Sequence, residues 1–236
     1  MTGYRERIVL AGLALGLFFG IAPGRGEEMK TEITFKKASD LEYFKNLTPG
    51  IIDFRREGLF SAEIGSLTNE QNRDGFLLFD EGKHQGSSPA LCGNGTYSLD
   101  FVVRPTGGYF FGVMLGPDVT NDSFVYSRQP SRVLCYAFYS GGGYVFLLSV
   151  DGTKKESKAL GSWVWETRWY RLTLVVEESK DVTGTITDLS TNTVVDALKI
   201  SAPAPLAFLP ARLYLVTETC SKMNSFLRLG KFAVVR

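Results

Sequence analysis

The 236-residue chain predicts an all-β fold, a sandwich of two antiparallel sheets. Apolar residues recur with period two from about Ile51 to the C-terminus, and no window sustains the i, i+3, i+4, i+7 spacing of an amphipathic helix beyond a turn or two. The runs are short, about a dozen in number, and separated by glycine-rich or polar turns, the count that two packed sheets require. The stretch Trp163 to Val176, closed by Gly184 to Leu189, shows the pattern best. After its third tryptophan it alternates strictly, with Tyr170, Leu172, Leu174 and Val176 inward and Trp169, Arg171 and Thr173 outward.

The elements follow in chain order. Residues 1–26 read as a secretory signal peptide: a charged start with Arg5 and Arg7, an apolar stretch from Ile8 to Ala22, and the tail Pro23-Gly24-Arg25-Gly26. The apolar stretch is about 15 residues, short of the roughly 20 that span a bilayer. No second long apolar run follows, so the mature chain is expected to have no membrane span and to be secreted, periplasmic or at the cell surface. Residues 27–50 form an N-terminal lead-in, with Ala38 to Asn46 its one candidate helix: Ser39-Asp40 offer a cap and Pro49-Gly50 a stop. Residues 51–236 form one domain, a size suited to a single large β core.

Strands are expected at Asp74 to Asp80, Thr96 to Arg104, Tyr109 to Leu115, Arg132 to Tyr139, Tyr144 to Val150, Arg168 to Val176, Val182 to Leu189, Thr193 to Leu198, Ala211 to Thr217 and Phe226 to Val235. Tyr109 to Leu115, Arg132 to Tyr139 and Tyr144 to Val150 are almost continuously apolar, as strands covered on both faces or lining a concave surface are. Asp151-Gly152 supplies a tight turn into the polar stretch Thr153 to Lys158. Ala202-Pro203-Ala204-Pro205, followed by Pro210, reads as a long surface loop within the domain.

The formal net charge is +1. Residues 1–26 carry Arg5, Arg7 and Arg25 against Glu6, so removing them leaves about −1, with no clustered basic footprint for nucleic acid. Of the three cysteines, Cys135 reads as a buried small hydrophobe, and any disulfide is expected to join Cys92 to Cys220.

Thr96 to Val103, Trp169 to Val176, Gly184 to Asp188 and Leu227 to Val235 together resemble the strands of the concanavalin A-like superfamily, in particular the laminin-G-like jelly-roll domains of secreted bacterial proteins. The resemblance covers residues 50–236 and implies a jelly-roll sandwich. Its members include lectins, adhesion modules, lyases and hydrolases, so it selects no activity. The Glu-x-Asp-x-x-Glu or Glu-x-Asp-x-Glu spacing of the related glucanases does not occur: Glu63, Glu81, Glu156, Glu166 and Glu218 all lack an Asp two residues on.

Candidate ligand contacts are Trp163, Trp165 and Trp169 with Arg168 and Arg171, together with Tyr139 and Tyr144 beside Gly141-Gly142-Gly143, since sugars are held by aromatic faces flanked by charged groups. The same aromatics also suit the plug of a sandwich end or its core. His84, the single histidine, lies in a polar loop and is a further candidate for a binding face. Asp118, Asn121 and Asp122 place three oxygen-bearing side chains in one turn, a candidate calcium site of the kind the resemblance implies, though a plain turn uses the same residues. The expectation is a secreted, non-catalytic carbohydrate-binding or adhesion module whose partner is a glycan or an extracellular protein. The alternatives are a glycoside-processing enzyme resembling the 3-keto-disaccharide hydrolases and a structural extracellular surface protein.

Overall fold

A computed structural model describes residues 29–36, 38–48, 52–55, 66–69, 74–81, 91–104, 109–119, 132–140, 144–158, 168–178, 180–219 and 225–236. Among them are fifteen strands: β1 (Lys30–Ile33), β2 (Phe44–Asn46), β3 (Ile52–Arg55), β4 (Ser66–Asn69), β5 (Asp74–Phe79), β6 (Gly95–Arg104), β7 (Tyr109–Gly116), β8 (Leu134–Ser140), β9 (Tyr144–Val150), β10 (Thr153–Lys158), β11 (Tyr170–Val176), β12 (Asp181–Asp188), β13 (Thr193–Ser201), β14 (Arg212–Thr219) and β15 (Ser225–Val235). No α-helix occurs among the described residues. One sheet has the order β13-β12-β11-β6-β15-β4-β3, with β1 also on β15. The other runs β10-β9-β8-β7-β14-β5-β2. All pairings are antiparallel, and the two sheets form a concanavalin A-like β-sandwich.

The alternation expected for β11 is present: Tyr170, Leu172, Leu174 and Val176 are buried while Arg171, Thr173 and Val175 are half-buried. With Tyr97, Leu99 and Phe101 of β6 and Phe232 and Val234 of β15 they form the floor of the core. Tyr136, Phe138 and Phe146 of the apolar hairpin close it from the other sheet. The hairpin's alternate residues are buried too. Cys135, Ala137 and Leu147 join Met114, Tyr214, Val216, Phe76 and Leu78 in a second cluster, on the opposite face of the seven-stranded sheet. That sheet is therefore apolar on both faces, and this is why its sequence runs show no alternation.

The sheets approach closely at Gly184, where a Cβ would lie 2.5 Å from the Tyr136 ring. In β15 a register shift between Leu229 and Lys231 leaves Gly230 as the bulge residue. A Cβ there would meet Trp169 at 2.5 Å, so the bulge provides the room that ring needs.

Three expectations change. Within the 27–50 segment, two strands belong to the sandwich, because β1 pairs with β15 and β2 pairs with β5. The expected helix is a 3₁₀ turn, Ala38–Tyr43, followed by a strand. Phe44 is drawn out of helical spacing by the aromatic group of Phe35, Phe79 and Phe232, with ring centroids 5.2–5.8 Å apart. Polar Thr153 to Lys158 is the edge strand β10, entered through Asp151 and Gly152, both with positive φ as a two-residue hairpin turn requires. Residues 1–26 lie outside the described residues, among which no helix is long and apolar enough to cross a membrane.

Candidate functional site

The arginines of the tryptophan-rich segment are engaged by the fold. Arg171 donates to both carboxylate oxygens of Asp100, at 2.6 and 2.8 Å, in a bidentate pair across β11 and β6. Arg168 donates to Asp188 Oδ2 at 3.0 Å. Asp188 is buried, and its Oδ1 accepts from the Ser190 hydroxyl and amide. The Ser190 hydroxyl first, then its amide and Arg168, hold the Asp188 carboxyl below the ordinary range against the opposing effect of burial. Trp169 lies against Gly230 with the Arg228 guanidinium 5.2 Å from its ring centroid, so its contacts are made within the chain.

Tyr139 is the register partner of Phe110 and Val145, and Tyr144 of Ser140, within the seven-stranded sheet. Trp163, Trp165, His84, Asn121 and Asp122 lie outside the described residues. Asp118, the third candidate calcium ligand, is paired otherwise: its Oδ1 accepts from Arg212 Nε at 2.7 Å. A cation binding there would have to displace this guanidinium. Among the described residues no group of three or more histidine, cysteine or acidic side chains is placed to hold a metal. Cys92 and Cys135 are buried and neither is in a disulfide. Cys92 is bridged through its backbone to Ala211 and fully enclosed, while Cys220, the other half of the expected pair, lies outside the described residues. Burial pushes the Cys92 thiol up to about 11, against the lowering effect of Arg236.

What the structure brings together instead is one end of the sandwich, where the proline-rich loop after β13 separates two clefts. The loop closes on itself through Leu209 N donating to Leu206 O and is tied to the fold by the Cys92–Ala211 bridge. Leu206, Phe208 and Leu209 rest on the core. On one side a cleft of about 370 Å³ is lined by Asn94, Glu177, Lys180, Leu206, Leu209 and Pro210. On the other a cleft of about 350 Å³ is lined by Leu91, Pro117, Asp118, Arg132, Phe208 and Arg212, with Pro210 shared between the two.

Strand pairing assembles the second cleft. Arg212 opens β14 opposite Gly116 at the end of β7, which sets it beside the turn that follows. Two residues on, the Tyr214 hydroxyl accepts from Val119 N at 3.1 Å and donates to Pro117 O at 2.9 Å, pinning that turn so that Asp118 meets Arg212. Burial pushes the Tyr214 phenol up to about 12, so it remains a donor at neutral pH. Opposite, Arg132 has φ 61, a left-handed conformation uncommon outside glycine and asparagine. It is held there by its amide donating to Asp151 Oδ1 at 2.7 Å, while Asp151 N donates to Val133 O. The cleft thus presents a half-buried aromatic, two guanidiniums and one carboxylate, a set able to bind a small polar ligand. Of these only Asp118 stood out in the sequence; the proline-rich stretch that carries Phe208 read there only as a surface loop.

Fold and site together define a concanavalin A-like jelly-roll sandwich with its clefts between end loops. The lectin of Bauhinia forficata, solved in complex with GalNAc, shares the fold at 12% identity over 89% of this chain and 98% of the lectin, with a TM-score of 0.59. Peanut lectin, solved with a 9-residue peptide, is 11% identical over 89% and 97% of the two chains, with a TM-score of 0.56. The Crh5 transglycosylase in complex with NAG is 11% identical over 87% and 83%, with a TM-score of 0.53. No family model matches the chain, and no curated protein sequence matches it.

Proposed function

We propose that the chain is a secreted, non-catalytic carbohydrate-binding or adhesion-type module, acting in the periplasm or at the cell surface on a glycan or an extracellular partner. The observation that carries this reading is the cleft of about 350 Å³, where Phe208 offers an apolar surface beside Arg132, Arg212 and Asp118. A sugar ring has an apolar C–H side and a rim of hydroxyls, and it is held by an aromatic or aliphatic wall flanked by charged hydrogen-bonding groups. The jelly-roll neighbours solved with GalNAc and with NAG are in keeping with it. The test is a glycan array on the whole protein followed by titration of the best ligand against Phe208→Ala and Phe208→Leu. Binding that falls about tenfold or more in the alanine variant and recovers in part with leucine supports the reading. An array on which no glycan binds overturns the carbohydrate-binding reading.

A second reading, a glycoside-processing enzyme, draws on the register that sets Asp74 of β5 opposite Glu218 of β14. Release of reducing ends from a glycan panel, lost in both Asp74→Asn and Glu218→Gln, would establish this reading over the first.

A further inference from the structure

We propose that the cleft beside Arg212 takes a carboxylated saccharide, a uronic-acid residue, with the Arg132 guanidinium as the anchor of its carboxylate. This rests on the carbohydrate-binding reading and names its ligand class. Three charged side chains line the cleft: Arg212, Asp118 and Arg132. Arg212 and Asp118 neutralise one another through the 2.7 Å pair, and the largely buried guanidinium with its exposed carboxylate forms one wall. No carboxylate among the described residues pairs with the Arg132 guanidinium, so the described lining of the cleft carries one uncompensated positive charge. Asp151 Oδ1 is taken by the Arg132 amide, where it fixes the backbone.

That backbone is the second argument. A left-handed φ of 61 is one that side chains with a Cβ avoid, and asparagine or glycine fills it more readily. An arginine held there by a dedicated carboxylate suits a position chosen for its guanidinium over one chosen for backbone comfort.

The remaining surface narrows the ligand. Leu91 is half exposed beside the half-buried Phe208, and together with Pro117 and Pro210 they give the cleft apolar walls. A multiply charged anion would leave its excess charge against those walls. A planar monoanionic carboxylate on a ring with one apolar face matches a single guanidinium fork and an aromatic wall together. A cation would meet two guanidiniums.

The experiment titrates the full-length protein with oligogalacturonate, its fully methyl-esterified form, tetra-alanine bearing a free C-terminal carboxylate, and sodium acetate, following melting temperature in parallel. The acid oligosaccharide is expected to bind at least about tenfold more tightly than the ester. Its affinity should fall as salt rises, since the anchoring charge is solvent-accessible. Arg132→Asn should lose about tenfold or more in affinity while its melting temperature stays level or rises, a combination that a merely structural arginine would not give. Asp118→Asn should tighten binding several-fold by removing the competing carboxylate. If Asp118→Asn instead abolishes a calcium-dependent binding, the anion assignment is overturned. If ester and acid bind alike, the acidic class falls while carbohydrate binding stands. Tetra-alanine or acetate competing at the same concentration as the oligosaccharide shows a carboxylate site without saccharide preference and also overturns it. No binding by any glycan removes the underlying reading itself.

Discussion

Gly184→Ala tests the closest approach of the two sheets. A Cβ at position 184 would lie 2.5–2.6 Å from three atoms of the Tyr136 ring, about 1 Å inside ordinary contact. The ring is fully buried, has Phe146 6.3 Å away, and its hydroxyl reaches Asp196 Oδ2 at 3.4 Å, so it has little room to retreat. Forcing an extra methyl into such a core costs about 1–3 kcal/mol, and a clash this deep against an immobile ring belongs at the upper end. Replacing glycine in a strand returns about 0.5–1 kcal/mol. The net expectation is a loss of about 2 kcal/mol, which for a domain of this size lowers the melting temperature by about 4–8 °C. Thermal unfolding followed by circular dichroism measures it. In a double-mutant cycle with Tyr136→Leu, which removes the ring, the two losses should be less than additive by about 1 kcal/mol or more. An unchanged or raised melting temperature in Gly184→Ala, or strict additivity in the cycle, would refute the packing argument.

Other outcomes follow from the ion pairs and thiols. Arg171→Ala strips the nearly buried Asp100 of its bidentate partner and should cost about 1–2 kcal/mol by denaturant unfolding, discounted for the partial exposure of Arg171, without altering glycan affinity. Because the folded state holds Asp188 below its unfolded value of about 3.9, the group adds stability that is present above that pH and is lost as pH falls through the folded value. The gap in melting temperature between the wild type and Asp188→Asn should therefore be widest near neutrality and narrow below about pH 4. The raised Cys92 thiol favours the folded state below the unfolded thiol value, and that contribution fades as pH rises from about 8.5 toward about 11. At pH 8 an aromatic disulfide reagent should leave Cys92 and Cys135 unreacted until denaturant is added, as mass spectrometry of the labelled peptides would report.

What could be read from the sequence divides along burial. β11 was legible because one of its faces is core and the other is not, so period two is written in hydrophobicity. β10 carries no such signal: Thr153, Lys154, Lys155 and Glu156 are exposed on both faces, and only its register with β9 reveals it as a strand. Its lysines suit an edge position, where they discourage pairing with another chain. β1 is hidden for a similar reason, since of Lys30–Ile33 only Ile33 is buried. The cleft was illegible because its parts are remote. Asp118 and Arg212 are 94 positions apart and meet through the β7–β14 register, and Arg132 is fixed by a residue 19 positions on. Asp118 stood out by composition, and composition alone suggested a metal where pairing supplies a guanidinium.

The burial of the two sheets also restricts where this sandwich can recognise anything. The eight-stranded sheet turns outward a row of matched charges, with Arg171 on Asp100, Lys231 and Lys30 on Glu32, and Lys199 on Asp181, interspersed with half-buried threonines of β11 and β12. A face whose charges are already paired offers a ligand little beyond what water offers it. The far face of the seven-stranded sheet is occupied by buried apolar side chains, Met114, Cys135, Ala137, Leu147, Tyr214 and Val216 among them. A sugar binding over those strands would have to displace that packing. The end loops are under neither constraint, because their backbone is fixed by tethers, the Tyr214 hydroxyl, Asp151 and the Cys92–Ala211 bridge, while Leu91, Asp118 and Arg132 keep their side chains open to solvent. Rigid placement with open side chains is the condition for a preformed binding site. On this fold it is met beside Pro210, and the tryptophan-rich strand that dominates the sequence serves the architecture through Trp169 at the β15 bulge and Arg171 on Asp100.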